Sequence, residues 1–425
     1  MRCLLEFGRC DTVLRLAGLV AVLGCGTPAW AFQLDGRPAV AVPPPSTIRV
    51  LNEQQLIDMV VGAGIYCTRG VNTATQVQRV VDAYRAGQQF RLISLEDVPD
   101  DWLAFTSFTV GGGGAWEHVP ARLARQGFQP NPDAPTASDV LARHLGARFN
   151  ATFQAEAGGA TLAALLTSAR EGVPLIDACP TGRCLPEVQM SPFFMQGITR
   201  APLAATTTYG DVIVVDSVLD DYRVEDITRG LAVASGGRVT VAANALRGRV
   251  LKQNLIGGFL SQSERVGRAA REATARKTDP VAAVAAAGGG VVLFRGVVRT
   301  SASRAEQGFG WTDAVLDGIG AFKGSEYRIY NKNENLVAWR DGRLDAAAPD
   351  LIVALNPKTG WAMRGGEIIG SFVVGEELAI VGFKGPDLWR TPRGIEMLGP
   401  PHFGLPDQYV PLERLHVIPP APPRP

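Results

Sequence analysis

Residues Ile176–Met190 read IDACPTGRCLPEVQM. The apolar run Pro174–Ala178 predicts a short buried strand with Asp177 near its end. Cys179 and Cys184 then bracket a turn around Pro180 and Gly182, and Arg183, Glu187 and Gln189 follow in the same loop. Open α/β sheets bind ligands in the crevice beyond the carboxyl ends of their strands. A strand that runs into thiols, a cation and carboxylates therefore predicts an α/β sheet with its chemistry at this end.

Outward from that strand, residues 47–205 alternate helical and extended patterns. Asn52 followed by Gln55 is a capping box, and Leu56, Ile57, Val60 and Val61 recur at helical spacing. Val77–Ala86 predicts a second helix. Phe90–Leu95 and Leu103–Val110 predict strands, the latter entering the glycine run Gly111–Gly114. Thr136 with Asp139 opens a helix through Leu145, Ala151–Ala155 is extended, and Thr161–Arg170 is helical. From Gly210 the texture turns to β. Val212–Asp216, Arg238–Ala242, Val291–Val298, Tyr327–Tyr330, Leu336–Trp339, Leu351–Leu355 and Glu377–Phe383 read as strands, interrupted by one long amphipathic stretch, Leu251–Arg276. The expected fold class is α+β with two domains. An N-terminal α/β layered domain spans 49–207, and a β-rich C-terminal domain with one long helix spans 208–418. A Pro-rich linker at 32–48 and a Pro-rich tail at 419–425 flank them.

Residues 1–31 follow the pattern of a secretory signal peptide. Arg2, Arg9 and Arg15 precede or flank the apolar run Leu16–Leu23, and Ala29-Trp30-Ala31 supplies small residues for cleavage. The run is too short to cross a bilayer. The expectation is an exported protein, periplasmic or secreted, with no transmembrane helix after processing. Val22-Leu23-Gly24-Cys25 offers the alternative of a lipoprotein anchored through Cys25.

A hydrophobic content of 46% and a charged content of 20% describe an ordinary folded chain of 425 residues. Basic and acidic residues number 42 and 41, and removing residues 1–31 brings the net charge to zero. No basic stripe points to nucleic acid. Strands at the domain ends could pair between subunits, so a homo-oligomer stays open.

Beyond residue 31 the cysteines are Cys67, Cys179 and Cys184. Close pairs tend to bond in an oxidising compartment, so a small Cys179–Cys184 disulfide loop is one expectation, with Cys67 left as the odd thiol. The alternative is a metal. Histidine is scarce and no HExxH spacing occurs, so a zinc or copper ion would lean on Cys67, Cys179 or Cys184 with carboxylates, the candidate set being Cys67, Cys179 and Glu187. Glycine tolerates unusual dihedrals, so Gly113 within GGGGAW could let backbone approach a ligand; a plain strand-to-loop exit is the simpler reading. Glu156-Ala157-Gly158-Gly159 leads from a strand into a helix, whose N-terminus favours an anion or a carbonyl oxygen. There Glu156, Gly158 and Gly159 are candidate substrate-binding positions, and a tight turn is the alternative. No GxSxG elbow, Walker loop or dinucleotide fingerprint is present.

GRCLPEVQM at 182–190 resembles the signature of the S-methyl thiohydantoin desulfurase family. EDVPDDWLAF at 96–105 and EAGG at 156–159 are similar to the family's N-terminal domain. NENLVAW at 333–339 and PDLIVALNPKTG at 349–360 are similar to its C-terminal domain, and GPDLWRTPRGIEMLGPPHFG at 385–404 to its closing segment. The resemblance spans roughly residues 50–412. It implies an α/β domain followed by a β-rich one, and hydrolysis of a carbon–sulfur bond in an S-methylated thiohydantoin to give hydantoin and methanethiol. The chain departs from the family pattern at three places. Tyr66-Cys67-Thr68-Arg69-Gly70 replaces a glycine-rich run, Cys179 replaces an aspartate, and Cys184 replaces an alanine.

Such a reaction needs an activated water, a group that stabilises charge on the ring, and a proton for the leaving thiol. Glu187 or Asp177 is the candidate base. Arg183, or backbone N–H groups beside Gly158 and Gly159, is the candidate anion stabiliser. Cys67 is a candidate nucleophile if Arg69 favours its thiolate. The substrate would be a thiohydantoin or similar small cyclic amide. The rival reading is an exported ligand-binding or scaffold protein of the same fold that has lost catalysis.

Overall fold

The structure, a computed structural model, describes residues 47–129, 134–363, 366 and 368–418. The expected signal segment, most of the linker and the Pro-rich tail lie outside the described residues. The chain runs β1 (Arg49–Val50), α1 (Glu53–Ile65), α2 (Thr73–Arg85), β2 (Arg91–Ser94), β3 (Leu103–Gly111), α3 (His118–Arg125), α4 (Ala137–Leu145), β4 (Ala151–Phe153), α5 (Gly159–Glu171), β5 (Leu175–Cys179) and α6 (Pro192–Met195). It continues through β6 (Leu203–Thr207), β7 (Val212–Val215), α7 (Asp221–Ala234), β8 (Arg238–Arg247), α8 (Gly248–Asn254), β9 (Ile256–Gly257) and α9 (Phe259–Ala275). Both expected capping boxes are formed: Asn52 accepts from Gln55 N at 2.9 Å, and Thr136 accepts from Asp139 N at 3.2 Å.

The first sheet has the order β1-β2-β5-β4-β3-β8-β6-β7, with β9 on β5. Its central strands β2, β5, β4 and β3 run parallel. Alternate residues point to opposite faces. Leu92 and Leu175 meet apolar residues of α1, α2 and α5 on one side. Ile93, Ile176 and Phe153 meet Phe193, Leu251 and Leu255 on the other.

α1 crosses α9 at close range because two glycines face the partner backbone. A Cβ on Gly62 would lie 1.8 Å from Ser263 O, and one on Gly267 would lie 1.9 Å from Asp58 O.

The rest of the chain forms α10 (Pro280–Gly288), β10 (Gly290–Glu306), β11 (Phe309–Gly318), β12 (Glu326–Lys332), β13 (Glu334–Arg340), β14 (Arg343–Ala347), β15 (Leu351–Leu355), β16 (Glu377–Phe383), α11 (Pro392–Leu398) and α12 (Leu412–Leu415). Its strands make an antiparallel sheet of order β14-β13-β12-β11-β10-β16-β15. One face carries Phe294, Tyr327, Ile329 and Ile352 in its own core. On the other face Leu351, Val353 and Val381 pack with Ile65 and Val266 of the first half, so one apolar cluster joins the two halves.

Two local expectations change. The strand candidates near 212 and 238 complete the first sheet: β8 pairs with β3 and β6, and β6 with β7. The helical stretch expected at Leu251–Arg276 is broken into α8, β9 and α9. Gly258 takes φ +69°, and Ile256 pairs with Cys179 of β5. Among the described residues, no helix is long and apolar enough to cross a membrane.

Candidate functional site

A cavity of about 740 Å³ opens beyond the carboxyl ends of β3 and β4. Ser107–Gly111 of β3, Glu156 after β4, Thr181 after β5, and Gly159 at the start of α5 all line it. Arg69 enters from the loop after α1, and Asn333 from the turn between β12 and β13. Both halves of the chain thus contribute walls. The described lining residues include six arginines and two glutamates, Glu156 and Glu187, and four of the arginines are paired: Arg69 with Glu156 and Glu334, Arg170 with Glu171, Arg200 with Asp221 and Arg229 with Glu225.

Arg69 is the hinge of one wall. Its Nη2 donates to Glu156 Oε1 at 2.9 Å and its Nη1 to Glu334 Oε1 at 2.9 Å. Thr68 Oγ1 donates to Glu334 Oε2 at 2.6 Å, and the Leu185 backbone N–H donates to Glu156 Oε2 at 2.8 Å. Burial alone would lower the Arg69 pKa, but the two carboxylates outweigh it and raise it. Burial pushes the Glu334 carboxyl above its ordinary range, against the pull of Arg69.

Glu187 stands on another part of the lining. It accepts from Lys332 Nζ and from Gln189 Nε2 at 2.5 Å, and His402 Nε2 lies 2.9 Å from its Oε2. Burial raises its pKa, but His402 and Lys332 win and bring it down to about 2, so it is a carboxylate at neutral pH. Lys332 lies over the rings of Phe309 at 4.1 Å and Trp311 at 5.2 Å. The loop that carries Glu187 is itself pinned. Val188 N donates to Glu225 Oε2 at 2.7 Å, Arg200 Nε to Val188 O at 3.0 Å, and Arg229 Nη2 to Pro186 O at 3.3 Å.

The disulfide differs from the expected one. Cys67 bonds Cys184, with Cα atoms 4.8 Å apart, and Cys179 is a free, buried thiol. The reason is tertiary: the turn after α1 lies against the 184 loop, while the Cys179 sulfur accepts from Gly182 N at 3.2 Å and faces Thr181 Oγ1 at 3.4 Å. Burial pushes the Cys179 thiol up to about 11. Cys67 therefore carries no thiolate to act as the nucleophile considered above. The metal set Cys67, Cys179 and Glu187 is not assembled either: among the described residues, the ligand atoms that come together are those of Cys67, Cys184 and Glu334.

Other candidate residues hold the scaffold. Asp177 accepts from Leu260 N at 2.7 Å, Ser261 N at 3.1 Å and Ser261 Oγ at 2.5 Å, which ties β5 to the first turn of α9. Burial raises its pKa despite these bonds. Arg183 is fully buried and braces backbone: Nε donates to Cys184 O at 2.9 Å and Nη1 to Pro349 O at 2.7 Å. Burial pulls its pKa down to about 10. Gly113 makes a bridge to Gly308, and Gly158 packs on the disulfide. The structure thus brings Glu156, Gly159 and Glu187 together at the cavity and leaves Asp177, Arg183 and Gly113 outside its lining. Sequence reasoning missed Lys332, His402, Glu334 and Arg200. Glu334 and His402 did lie within segments 333–339 and 385–404, yet nothing local assigns them a partner.

The fold and cavity together define a two-part protein in which an α/β sheet and an antiparallel sheet share one polar, arginine-rich cleft. Residues 54–217 match the model of the S-Me-THD-like N-terminal domain, and residues 219–412 that of the S-Me-THD-like C-terminal domain. The chain belongs to the S-Me-THD-like family. A crystal structure of a protein from Chromobacterium violaceum has a similar fold, with a TM-score of 0.67 and 18% identity. The match covers 86% of this chain and 100% of that one. No curated protein matches the chain.

Proposed function

We propose that this protein hydrolyses the carbon–sulfur bond of an S-methyl thiohydantoin or a similar small cyclic amide in the cavity between Arg69 and Glu187. One observation carries the reading: the segments around residues 69, 156–160 and 185–188, distant in sequence, line a single cavity at the carboxyl ends of parallel strands. In this reading Glu187, held by Lys332 and His402, orients the attacking water. The water oxygen bonds to the ring carbon, the carbon–sulfur bond breaks, and the proton released by water goes to the departing sulfur. Arg69 and the other lining arginines stabilise the negative charge that develops on ring and thiolate. The Cys67–Cys184 bond suits an oxidising compartment and so supports export with a leader at residues 1–31.

A second reading is a binding protein without turnover. Its support is the ion-paired state of Glu187, which makes it a weak proton acceptor. The test is to incubate the purified protein with S-methyl thiohydantoin and measure methanethiol with a thiol reagent. Release that falls roughly 10²-fold or more in Glu187→Gln supports the hydrolase. Ligand binding by calorimetry without release supports the binding protein. Neither binding nor release overturns both.

A further inference from the structure

The Cys67–Cys184 pair and Glu334 form a cluster with no part in the scheme above. The two sulfurs and a Glu334 carboxylate oxygen lie within 4.8 Å of one another, and all three residues are buried. Among the described residues, this is the one such group of possible metal ligands. Charge decides what an open form can hold. With the disulfide closed, Arg69 and Arg183 already face Glu156, Glu334 and Asp350 around this point, which leaves no spare cation there. Two thiolates would add two buried, uncompensated negative charges, which is costly. A divalent cation between them restores neutrality.

We propose that Cys67, Cys184 and Glu334 are the ligands of a zinc-type metal site that the disulfide masks and reduction opens. Tetrahedral zinc ligands at about 2.3 Å from the ion stand roughly 3.7 Å apart, so the present separations need only parting of the sulfurs and small rotamer changes. Two thiolates with a carboxylate suit zinc among the common divalent ions, and three protein ligands leave a fourth position for water. In the opening step a dithiol or a trialkylphosphine gives two electrons to the S–S bond. The two sulfurs take up two protons, and the reductant leaves as a disulfide or a phosphine oxide, its oxygen drawn from water. Metal binding then displaces the two thiol protons. The inference does not depend on the hydrolase reading, because it is read by metal binding rather than turnover.

The test uses the whole processed chain, held anaerobically with and without a trialkylphosphine, and titrated with Co²⁺ as the optical probe and Zn²⁺ as competitor. The reduced protein is expected to bind one Co²⁺ per chain with a thiolate-to-cobalt absorption band in the near ultraviolet, removed by Zn²⁺; the oxidised protein shows no band. Cys179→Ser leaves the band, and Cys67→Ser abolishes it. Glu334→Gln, which keeps both cysteines, weakens binding by about tenfold or more. A reduced protein without the band overturns the proposal, as does a band that survives Cys67→Ser or disappears in Cys179→Ser. Loss of near-ultraviolet circular dichroism on reduction, with no recovery when metal is added, also overturns it.

Discussion

Arg69 and Glu156 meet at 2.9 Å on the cavity wall, and the other arm of the same guanidinium holds the fully buried Glu334. One cation thus serves two carboxylates contributed by different sheets. Breaking a buried pair leaves its partner charged without compensation, typically at a cost of about 3–5 kcal/mol. Arg69→Met is expected to destabilise the protein by that order, measured by urea unfolding. Adding Glu334→Gln should recover part of the loss, because the stranded charge is removed. A double variant as unstable as the sum of the two single ones would show that the charges do not interact.

Glu187 gives a pH signature. Its pKa falls from an ordinary 4.5 to about 2 in the folded protein. A depressed carboxylate contributes stability that is present above the unfolded value and is lost as pH falls through the folded one. The contribution is on the order of 3 kcal/mol. The gap in unfolding free energy between the natural chain and Glu187→Gln should therefore be full at pH 6 and shrink between about pH 4.5 and pH 2. A gap that stays constant across this window would show that Lys332 and His402 do not stabilise the ionised form.

The covalent link gives a chemical prediction. Proteolysis of the non-reduced protein should yield a cross-linked peptide pair containing Cys67 and Cys184, with Cys179 the free thiol among the described residues. The bond closes a loop with a sequence separation of 117. By loop entropy, Cys184→Ser should cost about 4–5 kcal/mol, whereas Cys179→Ser should cost about 1 kcal/mol, the value of its hydrogen bonds. A peptide map joining Cys179 to either partner would refute the pairing.

Gly158 separates backbone strain from collision. It has φ +72°, and an added Cβ would lie 2.7 Å from Cys67 Cβ and 2.8 Å from its sulfur. Gly172 has φ +67° with nothing within 4 Å of an added Cβ. Alanine at 172 should cost about 1 kcal/mol, from the left-handed backbone alone. Alanine at 158 should cost more than twice that and loosen the Glu156 wall beside it. Equal thermal shifts for the two variants would mean that Cys67 yields freely to the new methyl group.

What could be read along the chain was short-range. Asn52 with Gln55, and Thr136 with Asp139, announced helix starts because a cap is made by atoms three residues apart. Leu175 and Ile176 announced a strand buried on both faces because successive side chains alternate. Segments 182–190 and 385–404 announced the family. Glu156, Gly159 and Glu187 were legible as cavity residues because they follow strand ends, where backbone turns free side chains to face a crevice. The partners of those residues were not legible. Lys332 and His402 reach Glu187 from 145 and 215 positions away, and Glu334 meets Arg69 from 265. The choice of Cys67 over Cys179 for Cys184 followed from how the turn after α1 packs on the 184 loop, which nearness in sequence does not register. Caps and pleats are settled by neighbouring backbone, so the string alone determined them. Charges and thiols were paired by the packing of two sheets against each other, so only the tertiary structure decided them.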